Sequence, residues 1–131
     1  MIITRDDLNI IKEKIRREWN YKTGEYKDFI YEIIRYHTYW YLCGYVLLPK
    51  THKYYWKDYL EIDVKVHWSL TYWKQKGEYW KIGFDCAHYD DLVPDTIERL
   101  MWDKDGLEYN DWTYKTMDYV EEEIKKLIDQ L

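Results

Sequence analysis

The stretch GFDCAH (83–88) sets an acid, a thiol and an imidazole almost side by side, and a second histidine, His67, lies in VHWSLTY (66–72). Such groups do three kinds of chemistry. A thiolate with a histidine base attacks carbonyls, a set of His, Cys and Asp holds a metal ion, and an imidazole paired with a carboxylate moves protons. Spacing and side-chain direction narrow the choice. Structural zinc sites use paired ligands such as C-x2-C or H-x3-H, and no such pair is present around Asp85, Cys86, His88, Asp90 and Asp91. Neighbours on an extended strand point to opposite faces, so Asp85 and Cys86 do not share an ion. No metal site is expected. Cys86 falls on the apolar face of its strand, where burial raises a thiol's pKa and makes it inert. No G-x-S-x-G motif surrounds Ser69 or Thr71, so no catalytic residue is assigned and the protein is read as a binding protein rather than an enzyme. His67 and Asp85 remain, as mutual partners or as the core of a small hydrolase.

Two strands must position them. In EIDVKVHWSLTYW (61–73), Ile62, Val64, Val66, Trp68, Leu70 and Tyr72 fall on one face; in YWKIGFDCAH (79–88), Trp80, Ile82, Phe84 and Cys86 do. This period of two marks half-buried antiparallel strands. The apolar faces must coincide, because a one-residue slip turns every buried side chain outward. A three-residue loop through Gln75, Lys76 and Gly77 then sets Tyr72 opposite Trp80, Leu70 opposite Ile82 and Trp68 opposite Phe84. On the reverse face Thr71 meets Lys81 and His67 meets Asp85. That face, with Lys65, His67, Thr71, Lys81 and Asp85, is the expected binding surface. The loop KTHKYYWKDY (50–59) supplies Tyr55 and Trp56 as its aromatic wall.

The rest of the chain reads as helix, sheet, helix in one domain spanning 1–131. Residues 4–19 carry Leu8, Ile11, Ile15 and Trp19 at helical spacing, with Thr4 as N-cap and Asp6 and Asp7 in the first turn. Gly24 is the expected turn residue after that helix. FIYEIIRY (29–36) and WYLCGYVLLP (40–49) are strand-like, with a turn near HT (37–38), and the sheet region runs to about residue 88. A short helix capped by Asp95 and a loop around Gly106 follow. The last helix, about 112–131, is capped by Asp111 and carries Met117, Val120, Ile124, Leu127 and Leu131 as its stripe. The fold class is therefore α+β, with an antiparallel sheet of about four strands flanked by N-terminal and C-terminal helices.

Composition bounds the partners. A net charge of -5 argues against binding a duplex backbone. No apolar run reaches the roughly 20 residues of a membrane span, and no secretory signal is visible, so cytoplasmic residence is expected. Cys43 and Cys86 are expected as two free, buried thiols. Among the aromatics, 16 Tyr and 8 Trp stand against 2 Phe. Tyr and Trp suit surfaces that are half apolar and half wet, and they offer faces on which nucleobases stack.

The segments CGYV (43–46), LPKTHKYYWKDY (48–59), VHWSLTY (66–72), GFDCAH (83–88) and WTYKTMDYVEEEIKKL (112–127) resemble a family of small proteins encoded by bacteriophages and prophages. The likeness covers roughly residues 41–131 and is most specific at VH-x-x-LTY and GFDCAH. Relatives tend to carry two glycines after the histidine, where this chain has Trp68 and Ser69; a site relying on close backbone approach there is altered in this protein. The resemblance implies an accessory protein acting in the host cytoplasm against host defence. As a non-enzymatic binder it would sequester a nucleotide-like signal; as an inhibitor it would present an acidic aromatic surface to a host protein. A homo-oligomer is compatible with either, and no cofactor is expected.

Overall fold

The computed structural model describes residues 2–108 and 112–131. Strand β1 (Ile2–Thr4) leads into helix α1 (Arg5–Arg17). Strands β2 (Tyr21–Tyr26), β3 (Phe29–Arg35), β4 (Leu42–Leu48), β5 (Tyr72–Lys76) and β6 (Tyr79–Asp85) form one antiparallel sheet, in the order β2-β3-β4-β6-β5. Helix α2 (Pro94–Leu100), strand β7 (Gly106–Glu108), which pairs with β1, and helix α3 (Met117–Asp129) complete the order. This is the expected α+β architecture with terminal helices, built on five strands and a separate two-stranded pair.

Local chemistry sets the boundaries. Thr4 caps α1 through a capping box, its hydroxyl accepting from the Asp7 amide while Asp7 accepts from the Thr4 amide. The helix stops at Arg17, short of Trp19, because Glu18 turns extended and its carboxylate accepts from Arg35 Nη2 (3.1 Å), the Tyr114 hydroxyl and the Met117 amide. Trp19 leaves the stripe and is exposed. Gly24 is not a turn residue: it sits inside β2, where an added Cβ would lie 2.4 Å from the Tyr31 ring. The turn falls at Lys27 and Asp28, both at positive φ, as a two-residue hairpin loop wants. Pro94 opens α2, and Asp95, one residue further in, pairs with Arg99 instead of capping. Gly106 belongs to β7 rather than to a loop. Thr116 caps α3 by accepting from the Tyr119 amide (3.1 Å); the expected cap, Asp111, lies outside the described residues.

Helix α3 packs its stripe of Val120, Ile124 and Leu127 on the sheet face that carries Ile33, Val46, Ile82 and Phe84, all essentially inaccessible. Each such side chain contributes roughly 1.5–3 kcal/mol. The Phe84 ring lies over Gly44, where a Cβ would come within 2.7 Å of it. A second apolar cluster joins β1, α1 and α2 through Ile3, Leu8, Ile97 and Met101, with Leu92.

The β5–β6 register differs from expectation. Gly77 (φ 58) and Glu78 make a two-residue loop, and the facing pairs are Lys76 with Tyr79, Gln75 with Trp80, Lys74 with Lys81, Trp73 with Ile82 and Tyr72 with Gly83. Trp73, not Tyr72, shares the α3 side with Trp80. The two even-numbered rows therefore do not match. The cause lies upstream: Trp68 (φ 57) and Ser69 (φ 86) form a left-handed turn, closed by the Ser69 amide on the Val66 carbonyl (2.7 Å). That turn resets which side chains point inward. Residues 62–71 join no strand, although Ile62 and Leu70 are buried.

Candidate functional site

The same turn drives His67 into the interior. Its side chain is 5% exposed, and it does not face Asp85. His67 Nε2 lies 2.8 and 2.9 Å from the two carboxylate oxygens of Asp91, and Nδ1 lies 2.7 Å from the Tyr119 hydroxyl. An imidazole protonated on Nε2, accepting from Tyr119 on Nδ1, satisfies this set. Tyr119 remains a phenol, since burial pushes its pKa up to about 12. Asp91, whose side chain is wholly enclosed, also accepts from the His88 amide (3.0 Å) and pairs with Lys115 Nζ (3.1 Å). Burial alone would raise its carboxyl pKa, but the hydrogen bonds from His67, the His88 amide and Lys115 outweigh it and hold the carboxyl below its ordinary value. Trp68 closes the outside, with Nε1 donating to Asp90 (2.7 Å) and its ring stacked on His88 at 5.8 Å. The result is a polar clasp joining the 66–69 turn, the 88–91 loop and the start of α3.

Asp85 has other partners. It accepts from Thr71 Oγ1 (3.0 Å) and from the Ala87 amide (3.1 Å), and His88 Nε2 lies 3.2 Å away but off the line of a hydrogen bond. A hydrolytic pair of His67 with Asp85 is thus not formed. Cys43 and Cys86 are free and buried; burial pushes the Cys43 thiol up to about 11 and Cys86 further still. Among the described residues, His67, Asp90 and Asp91 offer cation-ligating atoms within 4.8 Å of one another. Lys115 Nζ stands at this cluster, 3.2 Å from the Asp90 carbonyl and also bonded to the Thr113 hydroxyl, so the chain's own ammonium takes the position of a cation.

The residues expected to form one surface are dispersed. Thr71, Lys81 and Asp85 lie on or beside the sheet face opposite α3. Lys65 is exposed and brackets Gln130 near the end of α3 with its backbone amide and carbonyl. Tyr55 exchanges hydrogen bonds with Gln75 and stacks on Trp56. Trp56 is held at φ 70, a left-handed conformation that bulky residues seldom adopt, and is 65% exposed. Its ring lies 4.9 Å from Trp80, and Trp73, 43% exposed, stacks on the same Trp80 at 5.4 Å and 18°. These three indoles line a groove of about 520 Å³ that Asp58, Glu61, Lys74 and Gln75 also line. Trp73 and Trp80 escape a sequence reading because only the corrected hairpin register puts them on one face. A second groove, about 410 Å³, borders Arg35, but that guanidinium already donates to Asn20, Trp40, Tyr114 and Glu18.

No family model matches the chain, and no curated protein and no solved structure matches it either. No helix among the described residues is long and apolar enough to cross a membrane.

Proposed function

We propose that this protein is a non-catalytic binder of a small ligand bearing a planar ring, a nucleotide by class, and that the tryptophan groove holds it. The observation that carries the reading is the pair of exposed indoles, Trp56 and Trp73, flanking Trp80 around a ligand-sized groove. Stacking of a base on an aromatic ring is worth about 1–3 kcal/mol. The acidic and basic groups of the lining suit the two ends of a nucleotide. Carboxylates of Asp58 and Glu61 accept from the amino and imino groups of a base, and Lys74 meets a phosphate. The left-handed backbone at Trp56 costs on the order of 1–3 kcal/mol, a strain that tends to accumulate at functional sites. If the resemblance to phage-encoded proteins holds, the ligand is a host nucleotide signal whose sequestration would blunt a host defence.

Thermal-shift and tryptophan-quenching titrations with AMP, ATP and cyclic mono- and dinucleotides test this. At least one raises the melting temperature and is recovered chemically intact. Trp73→Ala weakens it about 5- to 150-fold. A hydrolysed ligand would make the protein an enzyme, and a full panel without effect would leave the indoles to a protein partner; either outcome overturns the reading.

A further inference from the structure

The sheet face turned away from α3 carries an arrangement that the groove does not explain. Lys74 on β5 stands directly opposite Lys81 on β6. Lys76, two residues along β5, projects on the same side. Like charges directly opposite in an antiparallel pair are destabilising. Glu32 serves two of the three: its Oε1 lies 2.8 Å from Lys76 Nζ and 3.5 Å from Lys81 Nζ, and its other oxygen accepts from the Tyr21 hydroxyl (2.7 Å). Lys81 Nζ also sits 4.1 Å from the Tyr45 ring centre and 5.8 Å from that of Tyr72. Lys74 is exposed and has no partner among the described residues. Three lysines thus share this face with one saturated carboxylate, which pairs with Lys76 and Lys81 and leaves Lys74 unpaired, in a chain whose net charge is -5.

We infer that Lys74, Lys76 and Lys81 form an anion subsite that takes a phosphate or diphosphate group, with Lys74 and Lys81 as its two principal ligands. An anion seated among these lysine side chains offsets their like charge. It accepts charge-assisted hydrogen bonds, which are shorter and stronger than neutral ones. Tyr45 and Tyr72 wall Lys81 and hold its head in place. Lys74 lines the tryptophan groove from β5, the edge strand, while the alternation along β5 puts its side chain on the face opposite Trp73. The inference therefore extends the proposed function by naming the ligand's anionic end, yet its own evidence is independent of the indoles.

The test uses two probes that each carry half of a nucleotide: pyrophosphate, which has no ring, and adenosine, which has no phosphate. Pyrophosphate stabilises the wild-type protein in a thermal-shift titration and is held less tightly as NaCl rises from 50 to 300 mM. Lys74→Glu weakens it about 10- to 100-fold. Without ligand, the same variant melts about 1–4 °C higher, because an opposite-charge pair replaces a like-charge pair. Lys74→Gln also loses binding and gains only part of that stability, since it removes the repulsion without adding an attraction. Pyrophosphate that binds Lys74→Glu as well as wild type, or that fails to bind wild type, overturns the subsite. Adenosine reports on the groove alone: its failure beside intact pyrophosphate binding removes the groove reading and leaves the subsite standing.

Discussion

Asp91→Asn puts the clasp around His67 to a quantitative test. The asparagine keeps the shape of a side chain that is wholly enclosed, so no cavity confuses the result. It removes a charge that three groups share: the imidazole of His67, the amide of His88 and the ammonium of Lys115, itself only 10% exposed. The carboxamide must also turn an NH2 group toward at least one of these donors. Removing one member of a buried ion pair costs about 3–5 kcal/mol, most of it from the charge left behind. With a urea dependence of roughly 1–3 kcal/mol per molar, the unfolding midpoint drops by about 1–5 M at pH 7. Tryptophan fluorescence, from the 8 indoles of this chain, follows the transition. The pH dependence has a definite sign. The Asp91 carboxyl titrates below its ordinary value of 3.8 in the folded state, so its stabilisation is complete above the unfolded value and fades as pH falls through the folded one. The gap between wild type and variant is therefore constant from about pH 5 to 7 and narrows toward pH 2. Adding Lys115→Met to Asp91→Asn restores part of the loss, since both charges then go together. A loss under about 1 kcal/mol at pH 7, or a gap that widens in acid, would refute the clasp.

Two further outcomes follow from the same region. Ser69→Gly raises stability by about 0.5–1 kcal/mol in urea titrations, because the residue at φ 86 no longer carries a Cβ in left-handed space; a destabilised variant would mean that the Ser69 side chain makes contacts outweighing that strain. Cys43 and Cys86 resist a thiol reagent at pH 8 in the native state and both react once the protein is unfolded, because their buried thiols stay protonated; rapid native-state modification of Cys86 would reopen thiol chemistry.

Elements with strong local signals were legible from residues alone. Thr4 and Asp7 announced the start of α1, and Trp80, Ile82 and Phe84 announced the buried face of β6. The burial of Cys86 followed from its place just past the end of that face. Strand β2 was not legible, because YKTGEY alternates weakly and its glycine reads as a turn, whereas Lys27 and Asp28 carry the positive φ. The hairpin register failed for a related reason. Parity arguments hold only while a strand stays extended, and Trp68 and Ser69 break the extension without the glycines that usually mark such a break.

Hydrophobic spacing and caps are local, and they determined by themselves the α+β class, the terminal helices and which face of β6 is greasy. Which polar groups meet was decided only in three dimensions. His67 found Asp91, Lys115 approached from the start of α3, and Trp56 came to lie against Trp80. The His67 and Trp56 contacts each depend on a left-handed turn whose strain is tolerated because the surrounding packing and hydrogen bonds repay it. That balance sums many distant interactions, which no short window of residues contains.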